Sequence, residues 1–93
     1  TARPTTALAG LLARFPVGWS VATHDGRRYG VTRTVRAGGR AVALYTEALD
    51  GSDVVSANAY LTGAGEELRP CEMPAAKVLA FLERACPEPA QVR

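Results

Sequence analysis

The sequence has few of the side chains that carry most metal and enzyme chemistry. Its 93 residues include one histidine, His24, and two cysteines, Cys71 and Cys86. A structural zinc site takes about four His or Cys ligands at short spacings, and neither cysteine has such a neighbour. Asp50 and Asp53 offer oxygen ligands without the spacing of a calcium loop, so they are interpreted as part of a polar turn. The sequence therefore predicts no metal and no cofactor.

Long apolar runs and a large charge of one sign are also missing. No stretch reaches the ~20 apolar residues of a membrane-spanning helix, and no secretory signal pattern is present. The net charge of +2 is too small to indicate nucleic acid or a membrane as the partner. We expect a cytoplasmic protein that does not bind membranes, and its Ala- and Arg-rich composition is typical of bacterial proteins from GC-rich genomes.

What is present is the composition of one globular domain. Hydrophobic residues make up 47% of the chain and charged residues 22%, which argues against general disorder. A chain of this length buries roughly 60–70% of its unfolded surface, enough for one modest core. We expect a single domain over residues 1–93, with flexible ends at 1–4 and 87–93.

Two segments have the apolar periodicity of helices that cover a surface. The first, Pro4–Phe15, is expected to take Thr5 or Thr6 as its cap. The second, Pro74–Ala85, starts with the proline that suits a first helical position. Their apolar stripes contain Leu8, Leu11, Leu12 and Phe15 in the first helix and Ala75, Val78, Leu79, Leu82 and Ala85 in the second, with Phe81 beside the second stripe.

The two cysteines flank the second predicted helix. That helix separates Cys71 from Cys86 by ~18 Å, whereas a disulfide needs Cα atoms within about 7 Å. The sequence therefore predicts two free thiols and a reducing compartment.

Alternating residues and turn signals predict four or five short strands between the helices. The segments are Gly18–His24, Arg28–Arg36, Arg40–Glu47, Val54–Thr62 and, as a short fifth, Glu67–Arg69. Asp25-Gly26 is a strong signal for a two-residue hairpin turn, and short connections favour an antiparallel meander. The fold class is therefore α+β, a two-layer sandwich in which both helices pack on one face of the sheet.

Side-chain alternation divides the sheet into two predicted faces. The face toward the helices would hold Trp19, Val21, Val31, Val35, Val42, Leu44, Val55 and Leu61, with small Ala57 and Ala59. The opposite face would hold His24, Arg28, Thr32, Thr34, Arg36, Tyr45, Ser56, Asn58 and Tyr60. Arg33 falls on the apolar side, where either a bulge turns it outward or it pairs with Glu47.

The opposite face is the candidate binding surface, because Tyr and Arg are enriched where proteins contact partners. The candidate binding residues are Arg28, Thr32, Thr34, Arg36, Arg40, Tyr45, Asn58 and Tyr60. The leading hypothesis is a non-enzymatic interaction domain that binds a protein partner or forms a homodimer. The alternative is an ordinary face in water, which antiparallel sheets commonly have.

Single-stranded nucleic acid is a second possible partner. Arg28, Arg36 and Arg40 are placed to contact phosphates while Tyr45 and Tyr60 stack on bases. Four strands followed by a helix, with the run Glu67-Leu68-Arg69-Pro70 ahead of that helix, are similar to single-stranded-DNA-binding transcriptional coactivators. That resemblance implies binding of single strands, although acidic residues nearly balance the basic ones.

A small thiol-dependent enzyme is the third possibility. Cys71 precedes a helix amino terminus, which lowers the pKa of a thiol, and His24 would act as its base if the fold brings the two together. The adjacent Glu72 opposes formation of a thiolate. We therefore favour a protein that is not an enzyme and assign no catalytic residue.

Overall fold

The computed structural model describes residues 7–62 and 65–88. Its helices and strands are α1 (Ala7–Ala13), β1 (Gly18–His24), β2 (Arg27–Arg36), β3 (Ala41–Ala48), β4 (Val54–Thr62), β5 (Gly65–Pro70), α2 (Ala75–Arg84) and β6 (Cys86–Pro87). One turn of 3-10 helix, Ala37–Gly39, joins β2 to β3. Two helices and an antiparallel sheet confirm the α+β class.

The sheet has six strands in the order β5-β4-β3-β2-β1-β6, and every neighbouring pair is antiparallel. β1 to β5 form the predicted meander. The sheet has one strand more than the four or five that were predicted, because β6 pairs with β1 through Ala22↔Pro87 and Thr23↔Cys86. A strand of two residues is too short to show a periodicity, and its proline is tolerated because an edge strand needs fewer donors.

The first hairpin has the predicted two-residue turn. Asp25 and Gly26 have positive φ values of 56° and 77°, as a type I′ turn requires at both central positions. The turn places His24 opposite Arg27, which fixes the register of β1 on β2.

The helix α1 is capped by a side chain from the sheet. The carboxylate of Glu66 on β5 accepts hydrogen bonds from the backbone N–H groups of Leu8 at 3.1 Å and Ala9 at 3.2 Å. These groups have no partner inside the helix. The predicted start at Pro4 and the predicted caps Thr5 and Thr6 lie outside the described residues.

The guanidinium of Arg14 joins the ends of the two helices. It donates hydrogen bonds to the carbonyl groups of Leu82 and Ala85 at the carboxyl end of α2. Those carbonyls carry the negative end of the helix dipole, so a cation there is stabilising.

The core lies between the helices and one side of the sheet. Its members on the helical side are Leu8, Leu12, Phe15 (just after α1), Val78, Phe81 and Leu82, and its sheet members include Val31, Val42, Leu44, Val55, Ala57 and Ala59. The predicted inward residues of β3 and β4 are therefore confirmed, with Leu61 partly buried. Val35 is on the same side but 37% exposed at the end of the sheet.

The predicted faces of β1 are wrong. Trp19 lies on the uncovered side with 65% of its surface exposed, and Val21 shares that side. Ala22 is fully buried, and His24 shares its inward side. His24 was expected on the uncovered face.

An aromatic cluster explains why β1 turns small residues inward. The ring of Phe81 lies 5.9 Å from that of Phe15, 5.1 Å from that of Tyr29 and 5.1 Å from that of His24, centroid to centroid. These rings occupy the space on the covered side of β1. The small side chain of Ala22 fits there, whereas the larger indole of Trp19 would not.

Arg33 keeps its inward position without the bulge or the Glu47 pair that were expected. Its guanidinium donates a hydrogen bond of 3.0 Å to the carbonyl of Phe15, just after α1. Its pairing with Leu44 continues the regular ladder of β2 and β3. The arginine therefore ties the end of the first helical segment to the sheet.

Candidate functional site

The side of the sheet away from the helices, which we call the open face, carries most of the predicted binding residues. The register places Arg28, Thr32, Thr34, Arg36, Tyr45, Asn58 and Tyr60 on it. Three large aromatic side chains are exposed there: Trp19 at 65%, Tyr45 at 49% and Tyr60 at 38%. Arg40 differs from the other candidates, because it lies in the turn before β3 and its Nε donates to the carbonyl of Ala37 at 3.1 Å.

Strand pairing arranges the central part of the open face in four rows that cross the strands, and Thr23 with Arg28 lies beyond them at one end. We name the four rows the Glu47 row (Val21, Gly30, Glu47, Val54), the Trp19 row (Trp19, Thr32, Tyr45, Ser56), the Asn58 row (Thr34, Ala43, Asn58, Arg69) and the Arg36 row (Arg36, Ala41, Tyr60, Glu67). Adjacent rows are about 6.8 Å apart, because side chains on one face recur every second residue.

A groove of about 300 Å³ runs between the aromatic rings of the Trp19 row and the turn after β3; its lining residues are Trp19, Gly30, Thr32, Tyr45, Glu47, Ala48, Leu49 and Gly51. Gly30 forms its floor, since a Cβ there would lie 3.0 Å from the indole nitrogen of Trp19. The absence of a side chain at position 30 therefore lets the indole lie close over β2. We call this the Trp19 groove.

Charges on the open face are balanced and mostly paired. Arg28 forms a two-point ion pair with Glu88, at 2.9 Å and 3.1 Å. Arg69 pairs with Glu67 at 2.8 Å. Among the described residues, the side chain of Arg36 makes no ion pair or hydrogen bond. Phosphate binding needs positive charge that is not already neutralised, so this face offers little of it.

Among the described residues that line the Trp19 groove, Glu47 alone carries a charge. Its carboxylate accepts a hydrogen bond of 3.2 Å from the hydroxyl of Tyr45. This hydrogen bond is the main reason that the pKa of the Tyr45 phenol lies above its ordinary value. The groove therefore combines two aromatic walls with one carboxylate, a combination that suits a cation.

Sequence reasoning did not include Trp19, Gly30 or Glu47 among the candidate binding residues, although alternation along β2 already placed Gly30 on the face of Thr32. For Trp19 the missed signal was the length of the Asp25-Gly26 turn. A two-residue turn pairs residues of opposite parity, so the inward Tyr29 forces Ala22 inward and turns Trp19 outward.

The structure separates the two residues of the proposed thiol site. Cys71 follows β5 at one edge of the sheet, and His24 lies in β1, four strands away. At about 4.8 Å per strand they are about 19 Å apart, so the histidine cannot act as the base. Both cysteines are free, as predicted, and both are exposed.

Across residues 7–62 and 65–88, no group of three or more His, Cys, Asp or Glu side chains is arranged to hold a metal ion. Neither helix in this part of the chain has the length and apolarity needed to span a bilayer. Comparison with protein-family models, with curated proteins and with solved structures finds no match to this chain.

Proposed function

We propose that this protein is a non-enzymatic interaction domain that binds another polypeptide through its open face. The observation that carries the proposal is the exposure of Trp19, Tyr45 and Tyr60 on one side of the sheet, while both helices cover the other side. Large aromatic residues gathered on one surface are typical of contact sites, because they bury much area at little cost in side-chain entropy.

The residues between the aromatic rings support the same proposal. Thr32, Thr34, Ala43 and Ser56 are small and only partly exposed, so the centre of the open face offers a surface that another flat surface can approach. The balanced charges favour a polypeptide over a polyanion. The exposed unpaired cysteines support a reducing, cytoplasmic setting.

Site-specific photo-crosslinking tests the proposal. A photoreactive phenylalanine analogue replaces Asn58 at the exposed centre of the open face, and in a matched control it replaces Glu83, which is exposed on α2. We expect polypeptide adducts from position 58 that disappear when Tyr45→Ala is added. Adducts from position 83 alone, or adducts that survive Tyr45→Ala, would place the contact elsewhere.

Binding of single-stranded nucleic acid is a second candidate, favoured by the position of all three exposed rings on one face. It predicts a fluorescence change of Trp19, the one tryptophan, when a single-stranded oligonucleotide is added at low salt. The change would weaken steeply as salt is raised and would be lost in Arg36→Ala and Tyr60→Ala. An unchanged spectrum at low salt rules this candidate out.

A further inference from the structure

We propose that the polypeptide bound by the open face is a second copy of this chain, related to the first by a two-fold axis that crosses the strands between the Trp19 row and the Asn58 row. This inference rests on the proposed function of the open face. Such an axis exchanges the Trp19 row with the Asn58 row and the Glu47 row with the Arg36 row. Because the axis runs across the strands, each strand then lies over the same strand of the other copy. Every contact occurs twice, as in any isologous interface.

The charges select this axis. Within the part of the chain that the structure describes, Arg36 and Glu47 are the two charged residues of the four rows that form no ion pair. Their rows lie at equal distances on either side of the axis. The axis places Arg36 over the partner's Gly30, the floor of the Trp19 groove. The guanidinium then lies beside the partner's Trp19 and the partner's Glu47, which offer a ring face and a carboxylate.

Side-chain sizes match under the same operation. Tyr45 lies over the partner's Ala43, and Tyr60 lies over the partner's Val54, so each large ring meets a smaller residue. Thr34 lies over the partner's Thr32, so the centre pairs small polar groups. Large side chains opposite small ones are what close packing of two sheets about 10 Å apart needs.

The open face is large enough for such a dimer. From Arg28 to Arg36 the face is about 27 Å long, and from β1 to β5 it is about 19 Å wide. Side chains that project from a plane of that size carry accessible area on the order of the roughly 800 Å² that each partner buries in a standard interface.

Charge reversal gives a decisive test, because the same contact occurs twice across the axis. Sedimentation velocity from about 1 µM to about 500 µM would measure the dimer constant. We expect the native chain to dimerise and Arg36→Glu and Glu47→Arg each to weaken the dimer at least about tenfold. We expect an equimolar mixture of the two variants to form a heterodimer, and the double variant Arg36→Glu/Glu47→Arg to dimerise again.

The controls are Arg84→Glu and Glu83→Arg, which make the same changes on α2, away from the open face. They should leave the dimer constant unchanged, and circular dichroism would verify that every variant folds. A native chain that stays monomeric throughout overturns the second-copy inference, as does a chain that binds only a single-stranded oligonucleotide. Adducts of another polypeptide at position 58 would then still support the proposed function. If the dimer survives Arg36→Glu and Glu47→Arg, and position 58 gives no adducts, both the second-copy inference and the proposed function are overturned.

Discussion

At the residue scale, the side chain of Asp53 joins three parts of the fold. Its carboxylate accepts a hydrogen bond from the Tyr29 hydroxyl at 2.8 Å and pairs with the ammonium of Lys77 at 2.7 Å. The hydrogen bond from Lys77 is the main reason that the pKa of the Asp53 carboxyl lies below its ordinary value, and the bond from Tyr29 adds to the effect. Strand β2, the turn after β3 and helix α2 therefore meet at one carboxylate.

This lowered pKa predicts a loss of stability in acid. A carboxyl whose pKa is lower in the folded state stabilises the fold above its ordinary pKa of about 3.9 and loses that contribution as pH falls through the folded pKa. Asp53→Asn should therefore be less stable than the native chain at pH 7 and differ less from it at about pH 2. Urea unfolding at both pH values measures this.

Asp25→Asn is the control for the acid experiment. It removes an exposed carboxyl from the hairpin turn, and within the described residues that carboxyl makes no ion pair. An equal loss for Asp53→Asn at both pH values would show that the Asp53 contacts do not depend on its charge.

Gly30 controls the position of the indole above it. In Gly30→Ala the new Cβ would lie 3.0 Å from the Trp19 indole nitrogen, which is closer than carbon and nitrogen atoms normally approach. Because Trp19 is exposed it can move away, so we expect a change of about 0.5 kcal/mol or less in the free energy of unfolding. The Trp19 emission maximum should shift as the indole leaves the groove.

Gly10→Ala is the matched control, since a Cβ at position 10 meets nothing within 4 Å. It should leave the emission spectrum unchanged while raising stability by up to about 1 kcal/mol, because alanine favours a helix more than glycine. An emission spectrum of Gly30→Ala identical to that of the native chain would contradict the close contact between position 30 and Trp19.

At the element scale, the first helix depends on contacts from outside itself. It is seven residues long, which is too short for an isolated helix to be stable in water. The carboxylate of Glu66 accepts hydrogen bonds from the N–H groups of Leu8 and Ala9 at the start of the helix. The inward residues of the helix, Leu8 and Leu12, pack in the core. Sequence periodicity predicted the buried side of this helix, whereas a cap 58 residues away in the sequence left no local signal.

Removal of this distant cap should lower the stability of the protein. Glu66→Ala should lower the free energy of unfolding by about 1 kcal/mol, the usual cost of losing a helix cap. Glu66→Gln keeps an acceptor oxygen and should recover part of the loss. Thermal unfolding measures both variants. Glu67→Ala is the control, because it removes an exposed ion pair with Arg69. A loss of stability in this control as large as that of Glu66→Ala would refute the capping role of Glu66.

Strand β1 shows where prediction from alternation alone fails. Trp19 and Val21 are the most apolar residues of β1, so hydropathy assigned them to the core. Register decides instead, because the Asp25-Gly26 turn pairs His24 with Arg27 and Tyr29 is held inside by the aromatic cluster. Strands β3 and β4 were predicted correctly because their inward residues are also their more apolar ones. The row order of the open face needed the register of all strands and was beyond a single sequence.

At the scale of the whole molecule, the two sides of the sheet should respond differently to substitution. Phe81→Ala removes a fully buried ring and should cost about 3–5 kcal/mol, a large share of the roughly 5–15 kcal/mol that holds such a domain. Trp19→Ala removes a larger but exposed ring and should cost about 0.5 kcal/mol or less at concentrations where the chain is monomeric.

Calorimetry of the two variants measures this difference. Tyr45→Ala is the control for Trp19→Ala, because it removes another exposed ring from the open face and should cost equally little. A loss of several kcal/mol in Trp19→Ala would mean that the indole belongs to the core and that the open face is not the uncovered side.

The strand order has a consequence for how the chain comes together. Pairings among β1 to β5 join strands that are neighbours in sequence, so each closes a short loop and costs little chain entropy. The pairing of Thr23 with Cys86 closes a loop of about sixty residues. The sheet should therefore assemble outward from its hairpins, and β6 should be the last strand to join and the first to detach in native-state hydrogen exchange.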